Sequence, residues 1–179
     1  MSKVAKKTLG QVNDEVFDAL DDAKIDQYLT FFMAEEEFGI NILSVQEIRE
    51  WEPVTPIPNS PNQVLGFTNL RGTIAPVIDL RLCFGLQAGV YGDHSVVIII
   101  SVESEHGTKI MGVVVDAVSD VYSFTPKNIQ PSPELSQTDQ AQFVKGLGSL
   151  EDKMVILLEL TDLLIANSDM RVEHSLATS

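Results

Sequence analysis

The sequence predicts an all-β protein built from short strands joined by tight turns. In Gln27–Met33 the side chains alternate with the period of two that places neighbours on opposite faces of a strand. Several stretches rich in valine and isoleucine follow, bounded by turn-forming residues. No connection holds the helix of about a dozen residues that a parallel βαβ crossover needs. About nine or ten strands of this length favour closed or nearly closed β lobes.

The strands are predicted in order along the chain. They are Gln27–Met33, Phe38–Ile42, Phe67–Leu70, Thr73–Ile78, Val96–Val102, Lys109–Val115, Val118–Phe124, Phe143–Leu150 and Lys153–Leu158. Arg71-Gly72 predicts a tight hairpin turn, because glycine readily adopts a positive φ. Glu103–Gly107 and Glu151-Asp152 are short enough to join two further antiparallel hairpins.

The segment after the second strand predicts a brief helix. Its apolar residues recur at every third position, at Ile42, Val45 and Ile48. Ser44 and Glu47 have the spacing of a capping box, in which two side chains satisfy free N–H groups at a helix start.

Three other short helices are expected as connectors. Each begins at a residue whose side chain can accept hydrogen bonds from the first N–H groups of a helix. They are expected from Ser60 to Gly66, over Leu80–Phe84 behind Asp79, and over Asp162–Ile165 behind Thr161.

We expect one folded domain over residues 25–166. Residues 1–24 form an N-terminal tail, with lysines ahead of a run of acids, and residues 167–179 form a polar C-terminal tail. The N-terminal tail is interpreted as a solvated leader or, alternatively, as a short amphipathic helix. The alternative depends on apolar residues at helical spacing, at Leu9, Val12, Val16 and Leu20.

Composition excludes several classes of partner and site. The chain has 12 Lys and Arg against 26 Asp and Glu, a formal net charge of −14. Such a surface repels phosphate, so we expect neither nucleic acid nor an anionic membrane as a partner. Cys83 is the single cysteine, which excludes an internal disulfide and a CxxC site. The most apolar run, Ser95–Val102, is shorter than the roughly 20 residues of a membrane span, so we expect a soluble intracellular protein with no membrane insertion.

Catalysis requires a nucleophile, a base or a metal, and the sequence offers none in a recognised arrangement. The histidines at positions 94, 106 and 174 form no His-x-x-x-His or Glu-x-x-His pair. The glycine pattern at Lys145–Ser149 lacks the Gly-Lys-Ser/Thr ending of a phosphate-binding loop. We therefore expect no catalytic residue, no metal and no cofactor. A small carboxylate-dependent hydrolase or a ligand-binding barrel, using carboxylates near Glu47 and Asp79, is the alternative from a different class.

A series of motifs resembles one known family. Residues 66–72 read Gly-Phe-Thr-Asn-Leu-Arg-Gly, and residues 76–81 read Pro-Val-Ile-Asp-Leu-Arg. The flanking motifs in the same order are Phe38–Ile42, Val45–Arg49, Gly112–Asp116, Val118–Val121 and Gly146–Gly148. Over about residues 26–165 the chain resembles the CheW family, the coupling proteins of bacterial chemotaxis.

The resemblance implies a fold of two SH3-like, five-stranded β-barrel lobes around a shared hydrophobic core. The lobes are expected at about residues 25–90 and 91–166, with a boundary near residues 86–95 and some strand exchange. The resemblance also implies a non-catalytic adaptor that binds the cytoplasmic tips of methyl-accepting chemotaxis receptors and the regulatory, CheW-like domain of the histidine kinase CheA. Such an adaptor is cytoplasmic, at receptor arrays on the inner face of the membrane. An adaptor of a chemosensory pathway other than motility is the alternative within the family.

Six residues match positions that the family associates with receptor or kinase coupling: Val45, Glu47, Gly66, Arg71, Val96 and Gly112. Each also has a structural interpretation. The valines suit a core, Glu47 suits a helix cap, and the glycines suit a constrained backbone. Arg71 is the hardest to explain by structure alone, because a tight turn needs the neighbouring glycine but no guanidinium.

Overall fold

The computed structural model describes residues 24–131 and 143–164, which are mostly β, as predicted. The strands are β1 (Asp26–Met33), β2 (Glu36–Asn41), β3 (Val45–Glu50), β4 (Val64–Leu70), β5 (Thr73–Asp79), β6 (Val96–Ser104), β7 (Gly107–Val115), β8 (Ala117–Phe124), β9 (Ile129–Gln130), β10 (Val144–Leu150) and β11 (Lys153–Leu158). Connectors include 3₁₀ turns at Ile42–Ser44 and Pro126–Asn128 and the short helix α1 at Leu80–Cys83. No helix in these ranges has the length and apolar character that a membrane span requires. The predicted tails and the end of the closing helix lie outside the described residues.

The strands form two sheets with a similar arrangement of hairpins. The first sheet has six strands in the order β8-β1-β2-β11-β10-β9, and the second has five in the order β3-β6-β7-β5-β4. In each sheet two antiparallel hairpins meet at a parallel pair, β2 with β11 in the first and β7 with β5 in the second. We call these sheets the six-stranded and the five-stranded lobe. The predicted two-lobed β architecture is confirmed, with the two-residue strand β9 as an addition.

The sheets do not divide the chain near residues 86–95, where the boundary between lobes was expected. The chain crosses from the six-stranded to the five-stranded lobe at Ile42–Ser44 and returns at Asp116. The five-stranded lobe is therefore one continuous stretch, whereas the six-stranded lobe combines both ends of the chain. The reason is that β6 and β7 pair with β3 and β5 rather than with the later strands.

The core lies between the two sheets and continues inside each lobe. Leu29, Phe31 and Met33 of β1 face the other sheet and are buried with Ile98 and Ile100 of β6 and other residues. The opposite face of β1 is buried too, where Tyr28 packs with Phe124, Val155 and Leu157 inside the six-stranded lobe. Both faces of this strand are therefore buried, as expected for a core shared by two lobes.

Residues 45–50 form strand β3 and not the predicted helix. Only Ile42–Ser44 turns helically, and Asn41 Oδ1 accepts a hydrogen bond there from Leu43 N–H at 2.9 Å. From Val45 onward the backbone pairs antiparallel with β6, with a bulge between Val45 and Glu47. The bulge inserts one residue, so that Val45 pairs with Ile100 and Ile48 pairs with Ile98. Ile48 is 48% exposed, so the three apolar residues do not form the buried face of a helix. Glu47 caps no helix.

No helix forms between residues 60 and 66 either. Turns at 58–59 and 62–63 lead directly into β4, and Val64 N–H donates to the carbonyl of Pro61 at 3.0 Å. Gly66 lies within β4 and ends no helix.

The other two predicted caps have different outcomes. The carboxylate of Asp79 caps α1 as predicted, because it accepts a hydrogen bond from Arg81 N–H at 2.9 Å. Thr161 is instead the first residue of the closing helix, and its N–H donates to the carboxylate of Glu159 at 3.2 Å.

Candidate partner-binding surface

Two of the six predicted side chains meet in the structure. Arg71 Nη2 lies 3.3 Å from Glu47 Oε2, and the other oxygen of Glu47 lies 3.3 Å from Arg49 Nε. The Arg71 side chain is 90% exposed, whereas that of Glu47 is 31% exposed. Arg71 therefore presents most of its hydrogen-bond donors to solvent while one of them contacts Glu47.

The ion pair spans the gap between the two edges of the five-stranded sheet. Glu47 lies on edge strand β3, and Arg71 follows edge strand β4. Beside it, Thr55 and Phe67 form an isolated antiparallel bridge. Thr55 N lies 3.4 Å from the carbonyl oxygen of Phe67, and Phe67 N lies 3.1 Å from the carbonyl oxygen of Thr55. The sheet thus curls until its edges meet. We call the line formed by Glu47, Thr55, Phe67 and Arg71 the seam.

Gly66 allows the backbone to close at the seam. A Cβ placed on Gly66 would overlap the carbonyl oxygen of Thr55 and lie 2.7 Å from its carbonyl carbon. The six-stranded lobe uses the same arrangement, since a Cβ on Gly146 of β10 would lie 2.7 Å from the carbonyl oxygen of Gln130. Because Gly66 has no Cβ, its backbone can pack closely against that of Thr55, and this close packing lets the seam form.

Arg71 occupies a backbone conformation that arginine rarely adopts. Its φ is 52°, and that of Gly72 is 90°, so both central residues of the turn are left-handed. A turn of this kind favours Asn-Gly or Gly-Gly, and a residue with a Cβ costs roughly 1–2 kcal/mol there. Asn69 Oδ1 stabilises the turn by accepting a hydrogen bond from Gly72 N–H at 2.8 Å. The sequence predicted a positive φ for Gly72 and missed that of Arg71; Ala34, Glu35, Asn59 and Glu151 share this left-handed conformation.

The remaining three predicted residues do not join this surface. Val45 and Val96 are half-buried and pack against the core between the sheets. Gly112 lies in β7 inside the five-stranded lobe, where a Cβ would come within 3.1 Å of Val97 Cγ1. Their roles in partner coupling stay predictions.

A groove of about 480 Å³ opens where the two lobes meet, next to the Ile42–Ser44 turn. Its apolar lining includes Ile40 and Leu158 from the six-stranded lobe and Ile100 from the five-stranded lobe. Leu43 projects at its edge and is 87% exposed. The sequence did not single out Leu43, although the capping residue Asn41 in front of it was a signal for a turn.

The rim of the groove is polar and acidic. Gln46, Ser101, Glu103 and Glu159 line it together with the apolar residues. Gln46 Nε2 donates to Ser101 Oγ at 2.7 Å, and Glu103 accepts from the Thr108 hydroxyl at 2.8 Å. An apolar floor with a carboxylate-bearing rim suits an amphipathic segment that carries Lys or Arg beside its apolar face.

The carboxylates proposed for a hydrolase lie in separate settings. Glu47 is engaged by arginines at the seam. Asp79 is 1% exposed and accepts hydrogen bonds from Arg81 N–H and from the Tyr91 hydroxyl.

Burial raises the pKa of the Cys83 thiol to about 12, which keeps the thiol protonated at neutral pH. Within residues 24–131 and 143–164, no three His, Cys, Asp or Glu side chains gather where they could hold a metal.

Comparison with known proteins agrees with the fold. The family model of the CheW-like domain matches residues 27–167. The chemotaxis protein CheW of Klebsiella aerogenes is 39% identical over 179 residues, which cover 100% of this chain and 96% of that one. The chemotaxis protein CheW of Helicobacter pylori is 31% identical over 144 residues, covering 80% and 84%.

A solved structure matches as well. The crystal structure of the scaffolding protein TtCheW from Thermoanaerobacter tengcongensis has a TM-score of 0.67 and 34% identity, over 75% of this chain and 89% of that chain. The two-lobed fold, the ordered motifs and these matches lead to one conclusion. The chain belongs to the CheW family.

Proposed function

We propose that this protein is a chemotaxis scaffold that couples methyl-accepting receptors to the histidine kinase CheA. It acts in the cytoplasm, at receptor arrays on the inner face of the membrane, and it contributes contacts rather than chemistry. One observation carries the proposal: strand β3 borders both candidate surfaces. Gln46 lines the groove between the lobes, and the next residue, Glu47, lies at the seam.

The groove supports the receptor half of the proposal. A receptor tip is helical, and an amphipathic helix binds by laying apolar side chains into a groove of this kind. Leu43 at the edge and Ile100 in the floor offer apolar contacts, while Glu103 and Glu159 offer charge to basic flanking residues.

The seam supports the kinase half of the proposal. The exposed guanidinium of Arg71 has a planar set of donors that can bind a carboxylate or backbone carbonyls of a partner. Because β3 contributes to both surfaces, a shift of β3 on binding at one surface changes the other. Coupling energies between sites in proteins are typically about 1–3 kcal/mol.

Binding measurements on the purified chain test the proposal. By isothermal titration calorimetry, we expect the chain to bind a receptor cytoplasmic fragment and, separately, the regulatory domain of CheA. We expect Leu43→Asn to weaken only the first and Arg71→Ala only the second. Lys24→Ala removes an exposed positive charge from the six-stranded side and serves as the control. Failure of the parent chain to bind either partner would refute the proposal.

A further inference from the structure

The two lobes are joined by a carboxylate at the crossover between β7 and β8. Asp116 Oδ1 accepts a hydrogen bond from Arg81 Nε at 2.8 Å, and Asp116 Oδ2 accepts one from Arg81 Nη2. Oδ2 also accepts from Ala34 N–H at 3.0 Å. Arg81 belongs to α1 of the five-stranded lobe, and Ala34 lies in the β1–β2 turn of the six-stranded lobe. We call Ala34, Arg81 and Asp116 the clamp.

The clamp is anchored on both sides. Arg81 N–H is held by the buried carboxylate of Asp79, which also accepts a hydrogen bond from the Tyr91 hydroxyl. On the other side, Ala34 has a left-handed φ of 49°, and Asp116 N–H donates to the carbonyl of Phe32 at 3.0 Å. The ion pair is also sheltered, with side-chain exposures of 24% for Arg81 and 34% for Asp116. A two-point guanidinium–carboxylate contact fixes direction as well as distance.

The clamp and the groove lie at opposite ends of the same hairpin. Strands β1 and β2 pair from Met33 with Glu36, beside the clamp, to Tyr28 with Asn41, which lines the groove. The six residues of β2 separate the two ends by about 20 Å. Strand β7 likewise ends beside the clamp, and its partner β6 ends at the groove. The paired strands therefore connect the clamp to the walls of the groove.

We propose that the clamp sets the angle between the two sheets and thereby the width of the groove. Arg81 and Asp116 are then positioning residues for whatever binds in the groove, although neither residue lines it. The identity of that occupant as a receptor tip rests on the proposed function, whereas the effect of the clamp on groove width does not.

Distance measurements across the groove test the clamp directly. Spin labels at Glu105→Cys and Asp162→Cys, two exposed sites on different lobes, report the opening in a full-length Cys83→Ser chain by double electron–electron resonance. Asp116→Asn should shift or broaden the distance distribution, because the amide binds the guanidinium more weakly. Asp152→Asn makes the same charge change at an exposed turn and should leave the distribution unchanged.

A second variant of the same contact keeps the test decisive if Asp116→Asn fails to fold. Arg81→Lys keeps the positive charge but loses the two-point contact, so it should also broaden the distribution. A parent-like distribution in both folded variants, or an equal change in Asp152→Asn, would overturn the proposal.

Binding measurements test the clamp and the proposed function separately. Affinity for a receptor cytoplasmic fragment should fall about fivefold or more in Asp116→Asn, and by more than affinity for the CheA regulatory domain at the seam. If the parent chain fails to bind the fragment, the receptor assignment is wrong, and the distance measurement still decides the clamp. If the fragment binds both chains equally although the distances differ, the clamp is not a positioning device for this partner.

Discussion

Arg71 and Glu47 join the two edge strands of the five-stranded sheet across a gap that no backbone pairing of β3 with β4 fills. The contact is exposed and long, at 3.3 Å between Nη2 and Oε2, so it contributes little to stability. Arg71 also holds a left-handed backbone conformation, which costs roughly 1–2 kcal/mol. The exposed guanidinium therefore adds little to the fold, and we expect it to act in partner binding.

Arg71→Gly is therefore predicted to separate stability from function. Glycine relieves the left-handed strain, and the lost surface ion pair is worth about 0–1 kcal/mol, so unfolding free energy should stay level or rise. Affinity for the CheA regulatory domain should nevertheless fall. Chemical denaturation and calorimetric titration measure the two quantities, and lower stability with unchanged binding would assign Arg71 to the fold instead.

Gly66→Ala is predicted to open the seam. The added Cβ overlaps the carbonyl oxygen of Thr55, and backbone cannot move aside as a flexible side chain can. We expect a loss of about 2 kcal/mol or more in unfolding free energy, measured by urea denaturation. Gly92→Ala is the matched control, because nothing lies within 4 Å of its added Cβ. Equal stabilities for the two variants would show that Thr55 does not constrain Gly66.

Leu43→Asn is predicted to weaken receptor binding while sparing the fold. Leu43 is 87% exposed, so the substitution changes unfolding free energy by less than about 0.5 kcal/mol. Val90→Asn provides the control, since Val90 is 98% exposed and lies away from the groove. If Val90→Asn weakens receptor binding as much as Leu43→Asn does, Leu43 is not a specific contact.

The contribution of Asp116 to stability is predicted to depend on pH. Burial opposes its ionisation, but hydrogen bonds from Arg81 and Ala34 N–H outweigh burial and hold its pKa below the usual range. A carboxyl with a lowered folded-state pKa stabilises the fold above its unfolded pKa of about 3.9, and this stabilisation is lost as pH falls through the folded value. The difference in unfolding free energy between the parent chain and Asp116→Asn should therefore be largest at pH 7 and become smaller in acid. Urea denaturation at several pH values measures it, and a difference that does not vary with pH would contradict the assignment.

Local features of the fold could be predicted from the sequence because short-range chemistry decides them. The hairpin turn at Arg71-Gly72 follows from glycine, and the start of α1 follows from the carboxylate of Asp79. The short helix predicted after the second strand was wrong. Residues 44–47 match the spacing of a capping box, but pairing with β6 makes residues 45–50 a strand.

Long-range relationships could not be predicted in the same way. The parallel pairing of β5 with β7 moves the lobe boundary, and no local pattern specifies which strands pair. The Arg71–Glu47 contact joins residues 24 positions apart through the curvature of the sheet. Asp116 was recognised as part of a motif, but its contact with Arg81 depends on the crossover between the lobes.

Co-sedimentation tests most directly whether a single molecule of this protein bridges receptor and kinase. Receptor-bearing membranes are mixed with CheA in the presence and absence of this protein, and the kinase in the pellet is quantified. We predict that kinase sediments with the membranes only when the protein is present, and that Leu43→Asn or Arg71→Ala alone reduces this recovery. Equal recovery of kinase with and without the protein would contradict the account.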